Sequence, residues 1–363
     1  MRVLLVGQGF APTVGGAETT IWHLAAGLAG RGHQLHCLVG GDPFEPAPAA
    51  SPAGVTRSPA LAAELPVVAA RLGPDLVHVI DPHELGPELA NACFTACHGV
   101  PKVASVTGLS ARADPAVMGH PWQVVTYASD RLRAALRSAA AVAAVLPPGI
   151  DLGANAPDGP RDPRLAILQP PVVFHPARLL PAKGALTGLE AFALLRGSLG
   201  SGTLVLCASA DTAADPATPR SFRNTLEARA VDLDVAAALV FVELAADQMP
   251  AAYRAADLVW VPTVGGEPFG LAALEAMACG APVVAASTGA LRETVEPGRS
   301  GLVVPAADPV ALAGAAAAVL SDGRLRADLI AGGLARAAGF DRHGHARDVE
   351  RAYALALAAA SVA

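Results

Sequence analysis

Short apolar runs, glycine-rich turns and alanine-rich helical stretches follow one another in a fixed rhythm, and the rhythm is played twice. In the first cycle, residues 3–6 read as a strand, and Gly15-Gly16 leads into a helix that runs to about Gly30. Strands follow at 34–39, 76–80, 102–106, 124–127 and 141–146, with helices near 61–72, 85–97 and 130–138. Residues 42–60 carry Pro43, Pro46, Pro48, Pro52 and Pro59 and predict a surface loop, since proline removes ladder donors and breaks helices. In the second cycle, strands are expected at 172–175, 203–208, 239–242, 258–261, 282–285 and 302–304. Helices alternate with them from Lys183, near 220–230 and at 271–279, and the last sixty residues read as helical with breaks at Gly332-Gly333 and near Gly344. Strands that alternate with helices demand parallel sheets joined by right-handed crossovers.

The stretch 147–163, rich in Pro, Gly and Asp, is the natural linker between the cycles. At 363 residues, with 53% hydrophobic and 16% charged side chains, the chain can bury two parallel sheets under apolar helices. The expected class is therefore α/β, with two doubly wound domains, one over 1–155 and one over 164–345. Ligands of such sheets bind outside the carboxyl ends of the strands. The loops at 8–16, 177–183 and 263–270 all follow strands, so a cleft between the two domains is expected there.

The segment from Gly266 to Glu275 carries the most chemistry. Pro268 and Gly270 mark a turn, and the residues from Leu271 on are strong helix formers. The amides of Phe269, Gly270 and Leu271 then fall at a helix start, where N–H groups lack internal partners and the dipole favours an anion. Glu267 and Glu275 flank that start. Carboxylates only accept hydrogen bonds, so they would repel a phosphate unless occupied by hydroxyls. A ligand that is part anion and part polyol, such as a nucleotide sugar, fits both demands.

Charge narrows the partners. The net charge of −6 gives no global attraction to nucleic acid or anionic membrane, so an anionic ligand must be held by local cations. Only Lys102 and Lys183 stand against 24 arginines. Lys183 opens a helix after a strand, whereas Lys102 precedes a strand and reads as an ordinary exposed residue. The five cysteines are an odd, scattered set, which predicts reduced thiols and a cytoplasmic setting. Cys93, Cys97 and His98 lack a second ligand pair at zinc spacing, so they read as thiols on one helix face rather than a metal site. The start of the chain is a strand rather than a leader, and apolar runs are too short to span a membrane, which leaves peripheral membrane contact open.

Four motifs in order resemble the retaining glycosyltransferases of family 4, the group that includes glycogen and sucrose synthases. They are Pro12-Thr13-Val14-Gly15-Gly16-Ala17-Glu18, Pro147-Pro148-Gly149-Ile150-Asp151, Arg178 through Lys183-Gly184, and Glu267 through Glu275 followed by Gly280-Ala281-Pro282. The resemblance implies the GT-B architecture, two Rossmann-like domains facing across a cleft, with the last helix (346–363) packing back on the first domain. It implies that Arg178 and Lys183 neutralise a donor diphosphate and that Glu267 binds the donor sugar. It also implies that Glu275 binds the ribose, and that Gly15, Gly16, Phe269, Gly270 and Leu271 offer backbone to the diphosphate or sugar. Many members carry a histidine after a mid-domain strand; here Thr107 stands nearest that place, with His83 and His98 on nearby loops as acceptor-side candidates.

The implied reaction is transfer of a hexose or N-acetylhexosamine from a nucleotide diphosphate sugar, UDP-linked first and GDP-linked next, to an acceptor hydroxyl with retention. No metal or cofactor is implied beyond the donor, and the oligomeric state and acceptor stay open. A dehydrogenase fails because Pro12 stands where Gly7-x-Gly9 needs its third glycine. A glycosidase built on Glu267 and Glu275 leaves Arg178, Lys183 and the glycine loops unexplained. An epimerase of the same architecture, or an idle homologue that binds sugar nucleotide or supports a partner enzyme, remains as an alternative.

Overall fold

The computed structural model describes residues 1–10, 16–45, 50–108, 113–207 and 218–361. The chain divides into two compact units, Met1–Gly149 with Phe340–Ala363, and Ile150–Gly339. Each is a wholly parallel sheet, as the alternation of strands and helices requires.

In the first unit the strands are β1 (Arg2–Gly7), β2 (Gln34–Val39), β3 (Gly54–Arg57), β4 (Leu76–Ile80), β5 (Lys102–Val106), β6 (Val124–Tyr127) and β7 (Val142–Val145), in spatial order 3-2-1-4-5-6-7. Val3, Leu5, Leu76 and Val103 are fully buried, so these strands read as near-continuous apolar runs. The final helix, Arg342–Ala360, joins this core through Ala346, Val349, Ala352, Tyr353 and Ala356. It lies so close to the first helix, Gly16–Ala29, that a Cβ on Gly27 would sit 2.7 Å from the Ala346 methyl.

The second unit contains β8 (Val172–His175), β9 (Thr203–Cys207), β10 (Leu239–Val242), β11 (Leu258–Val261), β12 (Val283–Ala286) and β13 (Leu302–Val304), in order 10-9-8-11-12-13. Its core gathers Val173, Leu204, Leu206, Leu258, Trp260 and Val284 under helices Ala185–Leu199 and Pro309–Ser321. In both sheets strand order reverses beside the first strand of the unit, between β1 and β4 and between β8 and β11. These are the switch points at which doubly wound sheets open a crevice.

Three local expectations fail for identifiable reasons. The proline-rich segment 42–60 contains β3, which pairs with β2 at the sheet edge, where missing donors cost little. Gly332-Gly333 does not break its helix, which runs from Gly323 to Ala337. A Cβ on Gly332 would lie 1.9 Å from the Arg299 carbonyl oxygen, so the glycine serves close packing rather than termination. Gly344 likewise lies inside the last helix, whose start is fixed by Asp341 accepting from the Gly344 amide.

Candidate active site

In the second unit, three loops meet at the carboxyl edge of the sheet, those after β8, β11 and β12. The β8 loop ends in a turn, Pro181–Lys183, closed by Gly184 at φ +78°. A Cβ there would lie 1.9 Å from the Pro262 carbonyl oxygen, so only glycine lets this loop touch the start of the β11 loop. The amides of Val264 and Gly265 both donate to the Ala182 carbonyl, tying the two loops together. The β12 loop closes the third side. The Ala290 amide donates to the Glu267 carbonyl at 2.8 Å, and Gly289, also in the left-handed region, lies where any Cβ would strike Glu267 backbone.

This weave brings Lys183 and Glu267 together. Lys183 Nζ lies 2.9 Å from Glu267 Oε2, with side chains 26% and 13% exposed. The cation and the carboxylate arrive from loops that flank the β8/β11 switch point. His175, the last residue of β8, is fully buried near them; burial first, and then the charge of Lys183, push its imidazole down to about 4, so it stays neutral.

Glu267 leads directly into a helix, Leu271–Ala278, whose N-cap Gly270 has φ +99° and packs on Leu291. The Gly270 carbonyl takes the Ala273 and Leu274 amides, while the helix itself has no acceptors for the amides of Gly270 and Leu271. Phe269 is buried with its ring in the core, so it offers a ligand only backbone. Its carbonyl accepts from the Thr294 hydroxyl, which fixes the turn before the helix.

Glu275 lies in the second turn of that helix. Its Oε2 accepts a hydrogen bond of 3.1 Å from the hydroxyl of Tyr253, a fully buried residue of helix Met249–Ala255. Burial pushes the Glu275 carboxyl up to about 7, against the Tyr253 hydrogen bond, which pulls it down. Arg178 stands apart: its side chain is exposed and makes no ion pair with any described residue. The structure thus joins Lys183 to Glu267 and leaves Arg178 unengaged.

The first unit holds the other candidates. Gly15 lies outside the described residues; Gly16 opens the first helix, where a Cβ would meet no atom of the chain. Thr107, just past β5, does not stand free. Its amide and hydroxyl both donate to Asp81, at 2.6 and 2.5 Å, and the Gly108 amide donates to the same carboxylate at 3.1 Å. Asp81 follows β4, is buried, and adopts φ +51°. Burial pushes its carboxyl up, opposed by those hydrogen bonds. His83 is fully buried beside it with Nε2 on the Gly108 carbonyl, at the same edge as Thr107.

His98 departs from expectation. It precedes β5, and in a parallel sheet the loops before strands lie at the edge opposite those after them, so His98 cannot join Thr107 and His83. Lys102 is a second correction, since it is 4% exposed. Its Nζ donates to the carbonyls of Cys97 and Val100 and lies over the Phe94 ring, satisfying the end of helix Pro87–Ala96. Sequence reasoning missed Tyr253 and Asp81. Tyr253 sits on the helix just before β11, and Asp81 stands between a strand and a proline, a place where a carboxylate commonly ties a loop.

The chain matches two family models: Glycosyltransferase Family 4 over residues 14–153 and Glycosyl transferases group 1 over residues 161–336. The chain belongs to the group 1 glycosyltransferases. Among relatives of this family, the D-inositol 3-phosphate glycosyltransferase of Frankia alni is 50% identical over 111 residues, 31% of this chain and 27% of that protein. The GDP-mannose-dependent alpha-(1-6)-phosphatidylinositol monomannoside mannosyltransferase of Mycolicibacterium smegmatis is 33% identical over 221 residues, 57% and 55% of the two chains. The matches to these two thus span between about a quarter and about half of the relative's length. Among solved structures, sucrose-phosphate synthase from Thermosynechococcus elongatus superposes with a TM-score of 0.82 at 22% identity over 99% of both chains. HepE of Anabaena, solved with UDP and glucose, gives 0.79 at 21% over 98% of this chain and 99% of that one. These structural neighbours and the two parallel-sheet units give the chain the GT-B fold.

Proposed function

We propose that this chain transfers a hexose or N-acetylhexosamine from a nucleotide diphosphate sugar to an acceptor hydroxyl, with retention at the anomeric carbon. UDP-sugars are the first donor class to try and GDP-sugars the second. The observation that carries the reading is the Lys183–Glu267 pair beside the helix start at Gly270, which sets a cation, a carboxylate and helix-start amides on one sheet edge. A donor would divide that pair. Lys183, joined by Arg178, faces the diphosphate as charge develops on it, while Glu267 accepts from hydroxyls of the sugar. The amides of Phe269, Gly270 and Leu271 serve the phosphate or sugar, and Glu275 the ribose.

Retention is taken from the family resemblance: attack on the face the diphosphate leaves, through an oxocarbenium-like state, needs no protein nucleophile. The departing phosphate oxygen accepts the acceptor's proton, and the protein's share is positioning and charge stabilisation. Since Lys183, Arg178 and the helix start supply positive potential, activity should survive EDTA.

A panel of UDP- and GDP-sugars, with nucleotide release and sugar transfer followed separately, tests the proposal. Transfer abolished by Lys183→Ala supports it. Nucleotide release at an equal rate without any acceptor points to a hydrolase, and tight donor binding without release points to an idle homologue.

A further inference from the structure

Tyr253 has no place in the reading above, yet it spends its hydroxyl on Glu275. It is fully buried, held edge-on by the Phe174 ring at a centroid distance of 5.8 Å, and its oxygen lies 3.1 Å from Glu275 Oε2. A buried phenol needs a partner, but any backbone carbonyl would satisfy it. Here the partner is a carboxylate, reached from one helix to the next.

We infer that Tyr253 is a positioning residue for donor binding: its hydroxyl holds one oxygen of Glu275 and keeps the carboxylate charged, so that the other oxygen is presented to a ribose diol. The inference rests on the assignment of Glu275 to the ribose. A neutral carboxylic acid would compete for its own proton and offer a ribose a weaker acceptor. An O–H donated to the charged form favours that form.

Among the described residues, Tyr253 is the group whose hydrogen bond favours the charged form of Glu275. Of the groups that interact electrostatically with Glu275, Tyr253 comes from helix Met249–Ala255 and Cys279 from just beyond the carboxylate's own helix. Arg254, the neighbouring cation, acts on Cys279 and donates to the carbonyls of Ala154, Ala156 and Pro160. The Glu275 carboxyl, already lifted to about 7 by burial, therefore sits at a balance that one hydrogen bond can tip.

Tyr253→Phe removes only the hydroxyl. The Glu275 carboxyl should titrate at least about one pH unit higher, the scale of a hydrogen bond to a charged group. Carbon-detected titration of labelled glutamates, with Glu275 assigned from the Glu275→Gln spectrum, reads this without any ligand. Binding of UDP and of GDP between pH 6 and 9 gives the second reading. The affinity of the Phe variant at pH 7 should fall at least about fivefold, the loss of charged form that one pH unit brings there, and recover toward wild type by pH 9. A loss of the same size at every pH, or an unmoved titration, overturns the inference. If the titration moves while neither nucleotide binds wild type at any pH, the assignment of Glu275 to a ribose falls, and with it the role in binding.

Discussion

Lys183 Nζ and Glu267 Oε2 lie 2.9 Å apart although 84 residues separate them in the chain. The loops that carry them are locked by the Ala182 carbonyl and by Gly289, so the pair is held by backbone rather than by side-chain choice. On the proposed function, a donor must break this contact and replace each half. Lys183→Ala should lower kcat by about 10²–10³, the usual cost of one preorganised donor at a developing anion. Glu267→Gln should lose donor affinity and turnover together, and the double variant should be far less impaired than the product of the two losses. Steady-state kinetics on a donor panel decides it, and strictly multiplicative losses would count against a shared unit.

On the proposed function, Glu275 sets donor binding against stability. Its carboxyl titrates at about 7 in the folded chain, against an ordinary 4.5. Because the folded-state value is raised, the stability tied to the proton is complete below pH 4.5 and is lost as pH climbs to about 7. Above that the buried charge costs on the order of 3 kcal/mol. Glu275→Gln removes the cost. The variant should melt several degrees above wild type at pH 8, with the gap closing toward pH 4.5, while its affinity for nucleotide diphosphate falls. Thermal melts across that range check the sign; a variant less stable than wild type at pH 8 would contradict it.

Gly184 and Gly197, close in the chain, should respond oppositely to alanine. Gly184 has φ +78° and faces the Pro262 carbonyl oxygen at 1.9 Å from its would-be Cβ, so Gly184→Ala must push the Lys183 loop off the β11 loop. A cost of about 2–4 kcal/mol and loss of donor binding are expected. Gly197 is exposed in the helix Ala185–Leu199 and has nothing within 4 Å of a Cβ. Gly197→Ala should stabilise by up to about 1 kcal/mol with activity intact. Chemical denaturation of both variants tests the contrast.

The fold and the geometry of part of the candidate site are legible in the chain for the same reason. Parallel strands buried on both faces leave continuous apolar runs, and a helix that starts in a tight turn leaves glycine and proline beside its acids. Glu267, Gly270 and Lys183 announce themselves this way. Tyr253 and Asp81 do not, because their work is done across space: a tyrosine or aspartate near a strand end looks the same whether it meets water or a partner. Lys102 misled for a related reason. Its exposed reading rests on its place before a strand, whereas its ammonium caps a helix end and lies over the Phe94 ring. Nearness in sequence groups His98 with Thr107, but β5 runs between them and sets the two at opposite edges of the sheet.

Acid should loosen the first unit through His78. This residue of β4 is fully buried, with Nδ1 2.8 Å from the Tyr353 hydroxyl on the last helix and Nε2 2.7 Å from Ser105 on β5. Burial first, and then the proximity of His345, push its imidazole down to about 3. His345, on the last helix, is itself pushed down to about 4, mainly by burial. For a histidine lowered in the folded state, the stability is complete above pH 6.5 and is lost as pH falls through that value toward 3–4. With two such groups on one core, the unfolded chain gains two protons that the folded one refuses, worth several kcal/mol by pH 5. The midpoint of unfolding should therefore drop steeply between pH 6.5 and 5. Tyr353→Phe, which strands Nδ1, should lower stability by about 1–3 kcal/mol at pH 7.5. Amide exchange along Arg342–Ala360 should rise with acid before exchange in β8 and β11 if the last helix is the first element to loosen. Protection that persists in this helix down to pH 5 would show that the buried histidines do not govern its docking.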